Sequence, residues 1–288
     1  MTAAGPDPAA LSRLSVNQET VRQLSLPELV RGCTELGISR VGLWRQPVQR
    51  YGLDATARLV RAAGLAVTSL CRGGFLTAAG AGERRRALDD NRAAVDEAAA
   101  LGTRTLVLVS GGLPPGSRDL HGAREQIADA LGELGPYAAE RGVRLAIEPL
   151  HPMFASDRCV VSTLAQALDL AERFPAGQVG VVVDTYHVWW DDRAPEQVRR
   201  AARGGRLAAF QLADWITPLP AGVLLGRGQL GDGAVDLRGF RRLVDEATRG
   251  EQPPMPVEVE LFNEELWARD GFEVLAETAR RYVRHVLD

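Results

Sequence analysis

The residues of this chain best suited to chemistry are carboxylates that close apolar runs. Glu148 ends RLAIE, Asp184 ends VGVVVD, and Glu260 lies in VEVELF. A carboxylate at the end of an apolar strand is costly to desolvate unless something compensates its charge. Three of them meeting at one place would repel one another, and a bound cation or a cluster of arginines relieves that repulsion. Three carboxylates with an amide oxygen form a hard, oxygen-rich donor set. Such a set favours Mn²⁺ or Mg²⁺, with Zn²⁺ or Co²⁺ as alternatives. The competing reading has these acids capping helix N-termini or pairing with Arg45, Arg72 and Arg227. Glu258 and Glu260 have the same parity and so face one side of their strand. Glu260 is nearer the strand end and is the expected ligand; Glu258 reads as a deeper, arginine-paired carboxylate.

Two of the four histidines, His151 and His187, follow acidic strand ends. An imidazole placed there can donate a hydrogen bond to a substrate or shuttle a proton, although His151-Pro152 can equally shape a loop. Trp189, Trp190, Trp215 and Phe75 fall on the same kind of loop, where they would line a sugar face or pack the barrel against its helices. All 34 basic residues are arginine. The absence of lysine excludes Schiff-base catalysis, an internal pyridoxal aldimine and a phosphate-loop lysine.

The segments that must position these groups alternate short apolar runs with longer amphipathic ones. Strands are expected at 14–18, 40–45, 65–71, 104–110, 143–149, 179–185, 206–214 and 256–262. Helices are expected at 24–36, 54–64, 82–101, 120–141, 163–174, 195–203, 236–248 and 271–287. Eight strand–helix units in one uninterrupted alternation imply a parallel sheet, and eight is the number that closes into a single (β/α)8 TIM barrel. The rival, an open doubly wound sheet, lacks a G-x-G-x-x-G turn between a strand and a helix. In a barrel the chemistry sits at the C-terminal ends of the strands, which is where these acids fall.

With 288 residues, 45% of them hydrophobic, the chain can bury a large core without disulfides or a structural metal. A net charge of −3 argues against a nucleic-acid partner. Cys33, Cys71 and Cys159 have no metal-type spacing and fit a reducing compartment. The first 13 residues show neither a basic start nor an apolar stretch, so no signal peptide is read there. They are expected to form a disordered tail before a barrel spanning 14–288. No apolar run approaches the roughly 20 residues needed to cross a bilayer, and a cytoplasmic location is expected.

RLAIEPLHP, VVVDTYHVWWD, FQLADW and PVEVELFNEELW resemble the metal-dependent sugar isomerases and epimerases of the xylose-isomerase-like, or apurinic-endonuclease-like, barrel family. The loop GRGQLGDGAVD is similar to that family's seventh-loop signature. The likeness runs through nearly the whole chain and is strongest after residue 143. VELF-x-x-E and DT-x-H bring it nearest to the inosose isomerases and ketose 3-epimerases. The resemblance implies metal ligands at Glu148, Asp184, Gln211 and Glu260, a substrate-binding histidine at His187, and an arginine contact for substrate or loop at Arg227. One position departs from the pattern: the third ligand, usually histidine, is Gln211, whose amide oxygen is a weaker donor than imidazole.

On this reading the chain is a metal-dependent isomerase or epimerase of a keto-sugar or keto-cyclitol, working through an enediolate. Glu148 and Glu260 would remove and return the proton, with His187, His151, Arg227 and Trp189 contacting a small-molecule substrate; a homo-oligomer is compatible with this. The same enediolate would serve a dehydratase or a lyase on an oxidised sugar or glycoside. A non-catalytic sugar-binding or partner subunit is the third reading, kept open by Gln211. Phosphodiester hydrolysis at abasic sites, also found in the family, needs more histidines than the strand ends offer.

Overall fold

The computed structural model describes residues 6–220 and 222–287. The eight barrel strands are β1 (Leu14–Asn17), β2 (Arg40–Trp44), β3 (Ala66–Gly74), β4 (Thr105–Val109), β5 (Arg144–Ile147), β6 (Val179–Asp184), β7 (Leu207–Leu212) and β8 (Val257–Val259). They close in the order β1-β8-β7-β6-β5-β4-β3-β2, the expected (β/α)8 barrel. Every residue of β4 and β6 is buried. A strand covered on one side by the barrel interior and on the other by helices has no solvent face, which explains the continuous runs TLVLV and VGVVVD.

Contacts divide the chain into two units, one built from the residues up to Thr68 together with those from Phe210 onward, the other from Ser69–Ala209. In the first unit, Leu14, Val16, Val41, Leu43, Val257 and Val259 are fully buried. Ser15 faces Arg40 and Asn17 faces Gly42 across β1 and β2, while Glu258 faces Gln211 across β8 and β7. Helix Leu26–Leu36 starts where the Ser25 N–H donates to the Glu28 carboxylate at 2.8 Å and stops at Gly37, whose φ of 74° suits a residue without a side chain. In the second unit, Leu106, Leu108, Leu145, Ile147, Val181 and Val183 form the corresponding core. Helices Ala81–Leu101 and Leu120–Glu140 lie side by side there, tied where Arg141 Nε and the Tyr137 hydroxyl both reach the Asp96 carboxylate.

Three differences from the sequence reading matter for the site. Short helices at Arg45–Tyr51, Thr185–Val188 and Glu264–Trp267 follow β2, β6 and β8. A two-stranded antiparallel ribbon pairs Asp214–Trp215 with Arg227–Gly228 inside the loop after β7. The expected disordered tail of 13 residues is too long: Leu11 is fully buried, and the Arg13 guanidinium donates to the Met255 carbonyl and to Asp245. A leucine that enters the core and an anchored guanidinium fix this part of the chain; residues 1–5 of the expected tail lie outside the described residues. No helix among the described residues is long and apolar enough to cross a membrane.

Candidate metal centre

In the unit spanning Ser69–Ala209, β5 and β6 deliver Glu148 and Asp184, and the short helix after β6 adds His187. All three side chains are buried, and their nearest donor atoms lie within 4.8 Å of one another. His187 Nε2 is 3.9 Å from Glu148 Oε1 and 3.8 Å from Asp184 Oδ2. Asp184 also caps the helix that carries His187, its Oδ1 accepting the Tyr186 N–H at 2.9 Å. One oxygen therefore fixes the local backbone while the other faces the cluster.

The hydrogen bonding of His187 distinguishes its two nitrogens. Nδ1 accepts the backbone N–H of His151 at 3.2 Å, so a neutral imidazole carries its proton on Nε2, the nitrogen aimed at the carboxylates. Nε2 is thus a donor, suited to a substrate oxygen, and lacks the lone pair that metal ligation requires. His151 stands beside it: its own Nδ1 accepts the Met153 N–H, its ring meets Trp190 edge-on at 5.4 Å, and burial pushes its pKa below the usual 6.5. Trp190 Nε1 donates to the His187 carbonyl at 2.8 Å. Trp190 thereby braces the two histidines; Trp189 is half-buried at the end of the same short helix.

In the other unit, β7 and β8 carry Gln211, Glu258 and Glu260, all buried. Glu260 Oε2 accepts from Arg227 Nη1 at 3.0 Å, and the same nitrogen donates to the Glu260 carbonyl at 3.1 Å. The ribbon strand that holds Arg227 is anchored by the Asn263 amide, which donates to the Arg227 carbonyl at 2.9 Å. A carboxylate offers about four lone-pair directions, so one arginine does not exhaust its accepting capacity. Arg227, expected to meet substrate or loop, is placed directly against Glu260.

Glu258 is held by amide and hydroxyl donors that the sequence reading did not anticipate. Asn17 Nδ2 at 2.8 Å and Gln211 Nε2 at 3.0 Å donate to its Oε1, and Thr68 Oγ1 donates to Oε2 at 2.7 Å. With its nitrogen committed to Glu258, Gln211 Oε1 is buried and receives no hydrogen bond. A buried acceptor left in this state costs about 1–3 kcal/mol, and a hard cation is a partner that removes the cost. Each unit thus carries oxygen donors that suit a hard cation: Glu148 and Asp184 in Ser69–Ala209, Glu260 and the Gln211 amide oxygen in the other.

Asp214, one strand position beyond Leu212 and Ala213, serves the fold. Its carboxylate accepts the N–H groups of Trp215, Gly231, Gly233 and Val235 at 2.8–3.0 Å. It thereby gathers the GRGQLGDG loop around one buried charge. Asp236 then caps the next helix through the Gly239 N–H.

Comparison with known proteins agrees with this architecture. The chain belongs to the xylose isomerase-like TIM barrel family, which matches residues 30–278. A solved structure of protein SMc04130 from Sinorhizobium meliloti 1021 is 44% identical, covers 96% of this chain and 99% of its own, and superposes with a TM-score of 0.91. An IOLI protein solved with a binding zinc atom shares the fold at 21% identity and a TM-score of 0.80, over 95% of this chain and 98% of that one. The 3-keto-D-glucoside 4-epimerase YcjR from E. coli shares it at 18% identity and a TM-score of 0.74, over 95% and 99%. No curated protein matches the chain by sequence.

Proposed function

We propose that this chain holds one divalent cation through Glu148, Asp184, Gln211 and Glu260 and interconverts isomers or epimers of a keto-sugar or keto-cyclitol. The observation that carries the reading is the buried, unpartnered Gln211 Oε1 in a strand that, with its neighbours, also delivers buried carboxylates. Bound Mn²⁺ or Mg²⁺ would supply Lewis acidity to a carbonyl and its neighbouring hydroxyl. Glu148 and Glu260 act as the acid–base pair that takes a carbon-bound proton from the substrate and returns it. Arg227 Nη1, 3.0 Å from Glu260 Oε2, holds that carboxylate in place. His187, donating from Nε2, holds a substrate oxygen, and His151 with Trp190 closes the wall behind it. The zinc of the IOLI protein and the epimerase activity named for YcjR support this class of chemistry.

The test is solvent exchange. Metal-loaded protein incubated in D₂O with a panel of ketohexoses, pentuloses and inososes is expected to exchange one carbon-bound hydrogen of one of them, followed by NMR. Glu148→Gln and Glu260→Gln should each slow exchange by about 10²–10⁴, with metal content measured so that a lost ligand is not mistaken for a lost base. Absence of exchange from every member of the panel, with metal bound and the fold intact, overturns the isomerase reading in favour of elimination or a binding subunit.

A further inference from the structure

We infer that Glu258 is a positioning residue that fixes which atom of Gln211 a metal would meet, an inference that rests on the metal reading above. An amide side chain can present either its oxygen or its NH₂ group, and only the oxygen can ligate a cation. A carboxylate accepts hydrogen bonds and does not donate them, so a carboxylate beside Gln211 selects the NH₂ for itself and turns the oxygen the other way. Glu258 stands in that place, its Oε1 taking Gln211 Nε2 at 3.0 Å while Gln211 Oε1 is left buried without a donor.

The surroundings of Glu258 hold it in that role. Asn17 Oδ1 accepts from Trp44 Nε1 at 2.9 Å and from the Glu19 N–H at 3.1 Å, so the Asn17 amide has its nitrogen turned to Glu258. Thr68 reaches the second carboxylate oxygen and is itself hydrogen-bonded to Ser15 at 2.7 Å. β2 makes the space: a Cβ on Gly42 would stand 2.5 Å from Glu258 Oε1, so a side chain at that position would displace the carboxylate. The network from Ser15 and Trp44 through Asn17 and Thr68 to Glu258 reaches Gln211 at its Nε2. At position 211 this chain carries an oxygen donor, and a buried acid aims it.

A double-mutant cycle on chelator-stripped, full-length protein tests this, with Mn²⁺ affinity read from the free-ion EPR signal. Glu258→Gln, which can itself donate and so lets the amide turn over, is expected to weaken Mn²⁺ binding by about 10–100-fold. In the Gln211→Leu background the same change is expected to have no further effect, because the atom it aims is gone. Glu258→Asp, which keeps an acceptor but withdraws it by one methylene, covers the case in which Glu258→Gln fails to fold and should weaken binding in the same direction. Unchanged affinity in the folded Glu258 variants, or a loss that repeats in full in the Gln211→Leu background, overturns the positioning role alone. Failure of the parent protein to bind Mn²⁺ at one saturable site overturns it together with the metal reading.

Discussion

Imidazole is a stronger donor than an amide oxygen, and this difference can be put to use at position 211. Gln211→His should tighten Zn²⁺ binding relative to Mn²⁺, because Glu258 would accept the ring N–H and leave the second nitrogen free to ligate. Gln211→Leu should weaken both ions. Calorimetric titrations of the parent and the two variants check this, and equal affinities in all three would place Gln211 outside the coordination sphere. Glu19 offers a test of a different kind. Burial pushes its pKa above the usual 4.5, against the opposing pull of Arg22 and Arg50. A raised folded-state pKa gives stability that is complete below the unfolded value and is lost as pH rises through the folded one. Glu19→Gln should therefore melt higher than the parent at pH 7, with the difference shrinking as pH falls through the raised folded-state pKa and gone below about 4.5; a difference independent of pH would contradict the assignment.

At the scale of elements, the loop after β7 depends on Asp214. Removing a carboxylate that accepts four backbone N–H groups leaves donors buried, so Asp214→Ala should cost about 3 kcal/mol or more in chemical denaturation. It should also open Gly226–Gly233 to proteolysis; a loop as resistant as the parent's would show that other contacts shape it. This loop illustrates what the sequence disclosed. The barrel strands and long helices were legible because each spans enough residues to show a period, and β4 and β6 betrayed burial on both faces by their unbroken apolar runs. The short helices at Thr185–Val188 and Glu264–Trp267 and the ribbon of Asp214–Trp215 with Arg227–Gly228 are shorter than any period and left no such mark. Glu148, Asp184 and Glu260 were conspicuous as acids ending apolar strands. The contacts of Glu258 with Asn17 and Thr68 were hidden because they join residues 241 and 190 positions apart, and no local spacing records such a pairing. His187 was legible as a candidate, but its tautomer was not, since that depends on the His151 backbone N–H.

At the scale of the molecule, the four proposed ligands, Glu148, Asp184, Gln211 and Glu260, stand far apart in the sequence. An ion that uses all four should stabilise the folded chain as a whole. Saturation to a hundred times Kd corresponds to about 2.7 kcal/mol, enough to raise Tm by a few degrees in a barrel of this size. Asp184→Asn and Glu260→Gln should each abolish that rise; a shift that survives both substitutions would mean that Mn²⁺ binds elsewhere. The central claim, that one ion sits among these four side chains, is tested most directly by a crystal structure of Mn²⁺-soaked protein with anomalous scattering recorded at the manganese edge. A single strong anomalous peak is expected, with oxygens of Glu148, Asp184, Gln211 and Glu260 about 2.0–2.3 Å from it. A peak coordinated by other residues, or these four side chains standing several ångströms apart around no peak, would contradict it.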